Sequence, residues 1–68
     1  MELQINNQTK TYQVAKLSIQ DLLEIEKSDN LTGIAVAVNQ LVIPKDLWAT
    51  HFLQSGSSIL IITATQGG

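Results

Sequence analysis

The sequence predicts an α+β fold, in which a mixed sheet of four to five strands carries one helix on one face. Three observations predict it. Short apolar or alternating segments recur at residues 1–6, 10–14, 34–38, 41–43 and 59–62, bounded by turn-forming residues. A single segment, from Ile19, carries apolar residues at helical spacing behind a capping residue. Finally, Ile59-Leu60-Ile61-Ile62 is apolar on both faces, the mark of a central strand with neighbours on both sides.

Met1 to Asn6 alternates apolar and polar residues, with Leu3 and Ile5 on one face. Asn6-Asn7-Gln8 supplies turn residues, and Lys10 to Val14 alternates again through Tyr12 and Val14, so the pair reads as a hairpin. Ser18 stands three residues before Asp21, a spacing close to that of a capping box. Ile19, Leu22, Leu23 and Ile25 follow as the apolar stripe of a short helix. Its spacing drifts after Leu23, so the helix is expected to be irregular and to end by about Ser28. Ser28 to Gly33 reads as a polar loop closed by Gly33.

In Ile34-Ala35-Val36-Ala37-Val38 the large residues share one face and the small ones the other. Asn39-Gln40 turns into Leu41-Val42-Ile43, and Pro44 ends that strand by withholding a ladder donor. Lys45 to Phe52 is expected to form a short helical turn from which Trp48 reaches back as a satellite anchor. Ser55-Gly56-Ser57 then turns into the last strand. The order is β-β-α-β-β-β, and the first and last strands can run parallel at the middle because the helix supplies a crossover between them. That arrangement is the β-grasp, or ubiquitin-like, fold. Residues 1–64 read as its single domain and 65–68 as a flexible C-terminal tail.

Composition removes several functions. A chain of 68 residues buries only about 60% of its unfolded surface, which leaves no room for a cleft that encloses a substrate. A hydrophobic content of 44% and a mean hydropathy of +0.13 argue against disorder. The net charge is −2, the four basic residues are all lysine, and no basic run occurs, so nucleic acid is not an expected partner. The longest apolar runs are five to six residues, too short to span a membrane, and Met1-Glu2-Leu3 does not begin a signal peptide. With no cysteine the chain has no disulfide framework, which points to the cytoplasm. His51 is the single histidine and has no thiolate to join it at a metal, so it reads as an exposed, solvated side chain.

No catalytic constellation is evident. Asp21, Glu24 and Glu26 read as the solvated face of the helix, and Lys45 and Asp46 as turn residues beside Pro44. The glycines are too scattered for a phosphate loop. What stands out is the end of the chain, Gln66-Gly67-Gly68. Glycine has no Cβ, so a diglycine end can enter a narrow channel and bring its carboxylate under another protein's catalytic groups. A carboxylate becomes an acyl donor once its oxygen is made a good leaving group, as adenylation does. This chain has no nucleotide site, so the activating enzyme must be a partner. A sulfur nucleophile would then give a thiocarboxylate and an amine would give an isopeptide bond. Lack of cysteine suits the first route, since no internal thiol can capture the activated end.

Ile34-Ala35-Val36-Ala37-Val38-Asn39-Gln40, followed by Val42-Ile43-Pro44-Lys45-Asp46-Leu47-Trp48-Ala49, resembles the core of the thiamine-biosynthesis sulfur-carrier family. The likeness continues through Ile59-Leu60-Ile61-Ile62 to Gly67-Gly68. Two positions depart from that family's pattern: Ser55-Gly56-Ser57 stands where Asp-Gly-Asp is usual, which weakens a turn cap, and Gln66 replaces a small residue. The resemblance implies a carrier rather than an enzyme. It binds no cofactor itself; a ubiquitin-activating-type adenylyltransferase uses ATP and magnesium to activate Gly68. Sulfur then comes from a donor such as a cysteine desulfurase, and the thiocarboxylate passes it to thiazole synthase. The resemblance also places Leu60 and Ile62 on the sheet face left uncovered by the helix, where carriers of this fold meet their partners, with Ala35 and Ala37 keeping the patch flat beside them. Competing readings are the small subunit of molybdopterin synthase, a ubiquitin-like modifier and a non-catalytic β-grasp binding module. The first carries prolines and an aromatic residue shortly before its diglycine, and Ile62-Thr63-Ala64-Thr65-Gln66 contains neither.

Overall fold

The computed structural model describes residues 1–26 and 33–63. Asn6 (φ 48°) and Asn7 (φ 68°) both lie in the left-handed region, as do Asn39 (φ 50°) and Gln40 (φ 72°). Two consecutive positive φ values are what a two-residue type I′ turn needs, and asparagine tolerates them better than other residues with a Cβ. Each pair therefore closes a tight hairpin. The first joins β1 (Glu2–Ile5) to β2 (Gln8–Thr11), with Ile5 opposite Gln8. The second joins β3 (Ile34–Val38) to β4 (Leu41–Val42), with Val38 opposite Leu41. The expected second strand over Lys10–Val14 is thus corrected: the turn fixes the register two residues earlier, and Val14 lies exposed beyond the strand. Similarly, Asn6 belongs to the turn and not to the first strand, and Ile43 lies past β4, although its N–H still donates to the Val36 carbonyl at 2.9 Å.

The helix α1 spans Ile19–Glu26. Its start is a capping box, as the spacing predicted: Ser18 Oγ accepts from the Asp21 N–H at 3.0 Å, and Asp21 Oδ2 accepts from the Ser18 N–H at 3.3 Å. Ile19, Leu22 and Leu23 are fully buried, each contributing roughly 1.5–3 kcal/mol of hydrophobic stabilisation. Ile25 is a correction. It is 57% exposed, because at about 100° per residue it swings away from the stripe, which passes to position 26. The expected helix end at Ser28 and the loop at 28–32 lie outside the described residues; Gly33, which closes that loop, has φ 71°.

A 3-10 turn covers Lys45–Leu47, shorter than the helical turn expected over Lys45–Phe52. Phe52 instead forms a single antiparallel bridge with Ser18, flanked by bonds from the Ile19 N–H to the His51 carbonyl and from the Leu53 N–H to the Leu17 carbonyl. His51 is consequently half-buried, not exposed. Trp48 is 2% exposed and belongs to the main core, not to a satellite of it, and its indole N–H donates to the Ile43 carbonyl at 2.9 Å.

β5 (Ser58–Thr63) completes a five-stranded sheet of the described residues in the order β2-β1-β5-β3-β4. β5 runs parallel to β1 and antiparallel to β3. The apolar run therefore occupies the centre of the sheet, and α1 supplies the crossover between the two hairpins, as predicted. The core lies on the helix side, where Leu3, Ile5, Val36, Val38, Ile59 and Ile61 meet α1.

Candidate functional site

Alternation along β5 divides its side chains sharply. Ile59 and Ile61 are buried against the helix, while Leu60 is 47% and Ile62 50% exposed on the opposite face. The antiparallel register sets Ala37 opposite Leu60 and Ala35 opposite Ile62. The four residues singled out in the sequence as a docking patch thus share one open sheet face. Val42 joins them: it pairs with Ala37 in the same cross-strand row as Leu60 and is 68% exposed. The sequence carried a signal for it, since β3 and β4 meet in a tight hairpin whose register follows from the Asn39-Gln40 turn. Toward β1 the patch is bordered by polar residues, with Gln4 opposite Ser58. The result is a flat apolar strip along the strand that leads to the chain's end. Gln66, Gly67 and Gly68, and the boundary between domain and tail, lie outside the described residues.

The turn into β5 is built from hydroxyls. Ser55 Oγ accepts from the Glu2 N–H at 3.2 Å, and Ser57 Oγ accepts from the Gln54 N–H at 3.4 Å. The Gly56 N–H donates to the Glu2 carbonyl at 2.7 Å. Gly56 has φ 89°, and open space surrounds the position a Cβ would take, so conformation and not crowding requires glycine there. Two serines therefore cap this turn without the carboxylates that the resemblance leads one to expect.

The acidic residues of α1 have structural partners. Asp21 caps the helix, and Glu24 accepts from the Gln20 side-chain amide at 3.0 Å. Glu26, expected to be solvated, is corrected: its carboxylate accepts from Lys10 Nζ at 2.7 Å and from the Tyr12 hydroxyl at 2.6 Å. The Lys10 bond, then the Tyr12 bond, hold the Glu26 carboxyl below its ordinary range. Burial, followed by the same carboxylate, pushes the Tyr12 hydroxyl well above its ordinary value. Among the described residues no group of three or more His, Asp or Glu side chains could hold a metal ion.

A model of the ThiS family matches residues 3–68. The chain belongs to the ThiS family. It is 32% identical over 68 residues to the sulfur carrier protein ThiS of Escherichia coli (strain K12), with both chains covered in full. Its fold matches the crystal structure of the thiamine biosynthesis protein ThiS from Geobacter metallireducens with a TM-score of 0.87 over all of both chains. At 20% identity that second likeness speaks for the fold, a β-grasp with one helix on a mixed sheet. The ThiS-family match includes both the exposed strip on β5 and the diglycine beyond it. Among the described residues no helix is long and apolar enough to cross a membrane.

Proposed function

We propose that this chain is a sulfur carrier in thiamine biosynthesis, acting as a co-substrate of partner enzymes and not as a catalyst. The observation that carries the reading is that the ThiS-family match runs through residue 68, so Gly67 and Gly68 lie inside the matched stretch. In the proposed sequence a ubiquitin-activating-type adenylyltransferase docks on Leu60, Ile62, Ala35 and Ala37. A Gly68 carboxylate oxygen attacks the α-phosphorus of that enzyme's magnesium-bound ATP, and pyrophosphate leaves. A persulfide sulfur, supplied by a donor such as a cysteine desulfurase, attacks the acyl carbon and expels AMP. A thiol then attacks the donor's own sulfur in the resulting acyl disulfide, the one not bonded to the acyl carbon. The S–S bond breaks, a new disulfide forms on the donor, and the Gly68 thiocarboxylate leaves. That sulfur is nucleophilic, and thiazole synthase is the proposed acceptor.

This chain's contribution is to offer a flat docking strip and a side-chain-free acyl end. A cytoplasmic setting is part of the proposal, supported by a sequence without cysteine. The test is the intact mass of the chain after co-expression with the adenylating enzyme and a persulfide source. Exchange of one oxygen for one sulfur supports the carrier; an unchanged mass contradicts it.

A further inference from the structure

β5 is held unequally along its two edges. On one edge β3 accompanies it from Ile59 to Thr63. On the other, β1 pairs only with Ser58 and Ile59, because the chain turns away at Asn6. Beyond that point the Asn6 side chain takes over. Its Oδ1 accepts from the Ile61 N–H at 2.8 Å, and its Nδ2 donates to the Ile61 carbonyl at 3.2 Å. The Asn6 backbone N–H already donates to the Ile59 carbonyl at 2.9 Å. One asparagine thus bonds two successive positions on the same strand edge, and its carboxamide imitates the next peptide unit of a strand that has ended.

Asn39, at the equivalent position of the second turn, holds the start of β5 through one residue, Ser58. Its N–H donates to the Ser58 carbonyl at 2.7 Å, and its Oδ1 accepts from the Ser58 N–H at 2.9 Å. β5 is clamped at its entry by Asn39 and two residues before its end by Asn6.

We infer that Asn6 is a positioning residue for the C-terminal acyl group, setting the direction in which β5 delivers the tail once the sheet face has docked. This rests on the acyl-carrier reading above. Docking fixes the patch, but reaction requires the carboxylate to reach the adenylating centre, and a misplacement of about 1 Å can cost up to two orders of magnitude in rate. Losing the clamp should therefore slow the step after docking and leave docking itself nearly unchanged.

The test compares Asn6→Gly with Asn7→Gly. Both keep a residue that accepts positive φ, and only the first removes the carboxamide. Two readouts are taken at a temperature where both variants are fully folded: amide hydrogen exchange at Ile61, and ATP–pyrophosphate exchange with the adenylating enzyme of the same host. Asn6→Gly should raise Ile61 exchange and lower kcat by roughly tenfold, with KM within about twofold of the unchanged chain. Asn7→Gly should leave both readouts as they are. Equal kcat in the two variants, or a loss confined to KM, overturns the positioning role, and unchanged Ile61 exchange in Asn6→Gly overturns the clamp. If the unsubstituted chain supports no pyrophosphate exchange, it is the acyl-carrier reading that fails, while Ile61 exchange still decides the clamp.

Discussion

Trp48 packs its ring into the core and spends its one polar atom on the Ile43 carbonyl, so it links the segment after Pro44 to the underside of the sheet. Small domains have few such residues to lose: a core of this size supplies about 3–5 kcal/mol, and Trp→Ala typically removes 3–5. Trp48→Ala should therefore be largely unfolded at 25 °C, with the transition seen by circular dichroism. An unchanged melting temperature would show that the indole is not a packing element. The residue's role as an anchor was legible from its size and from the polar company it keeps. Its central rank was not, because sequence spacing in an irregular segment does not say which way a side chain turns. Ile25 shows the converse error, where apolar character alone suggested a core position that helical geometry denies.

Among the described residues, the Lys10–Glu26–Tyr12 group joins the region of β2 to the end of α1. Its pH dependence has a definite sign. The Glu26 carboxyl is held below its ordinary 4.5, so its stabilisation is complete above that pH and is lost as pH falls through the lowered folded value. Tyr12 is raised, so its contribution is complete below its ordinary 10.0 and is lost as pH rises from there. Glu26→Gln should cost about 1 kcal/mol near neutral pH, and the gap to the unsubstituted chain should narrow as pH falls below 4.5. Urea unfolding across that range checks it, and a gap that stays constant would contradict the assignment. The capping box, both turns and the presence of five strands were legible because each rests on local chemistry: a hydroxyl three residues before a carboxylate, an asparagine opening each turn, alternating apolar residues. The β2 register was missed because the turn takes two residues, Asn6 and Asn7, where the sequence suggested three, and the Glu26 pairing because it rests on a contact with Lys10 sixteen residues away that no local pattern encodes.

At the scale of the whole molecule, one helix among the described residues covers one face of the sheet and leaves the other open. The topology was legible because a run that is apolar on both faces must sit centrally, and the crossover rule then leaves few arrangements. Alternation along the same run grouped Leu60 with Ile62, and the family resemblance assigned that pair to the open face, where exposed apolar side chains mark a candidate docking patch. Val42 escaped notice because its place in the strip follows from strand pairing. Leu60→Asp and Ile62→Asp should leave the melting temperature near its original value, as both side chains are half exposed. Each should weaken binding of the adenylating enzyme by more than about 1 kcal/mol, measured by titration calorimetry. Normal binding by both variants would move the interface elsewhere.

The measurement that bears most directly on the acyl-carrier account is intact mass, taken for the full chain and for a chain lacking Gly68, each co-expressed with the adenylating enzyme and a persulfide source. Both should fold, since Gly68 lies beyond the last strand and its removal costs little stability. The full chain should exchange one oxygen for one sulfur, localised to Gly68 by fragmentation, and the shortened one should not change. Sulfur in both chains, or in neither, would contradict the acyl-carrier reading.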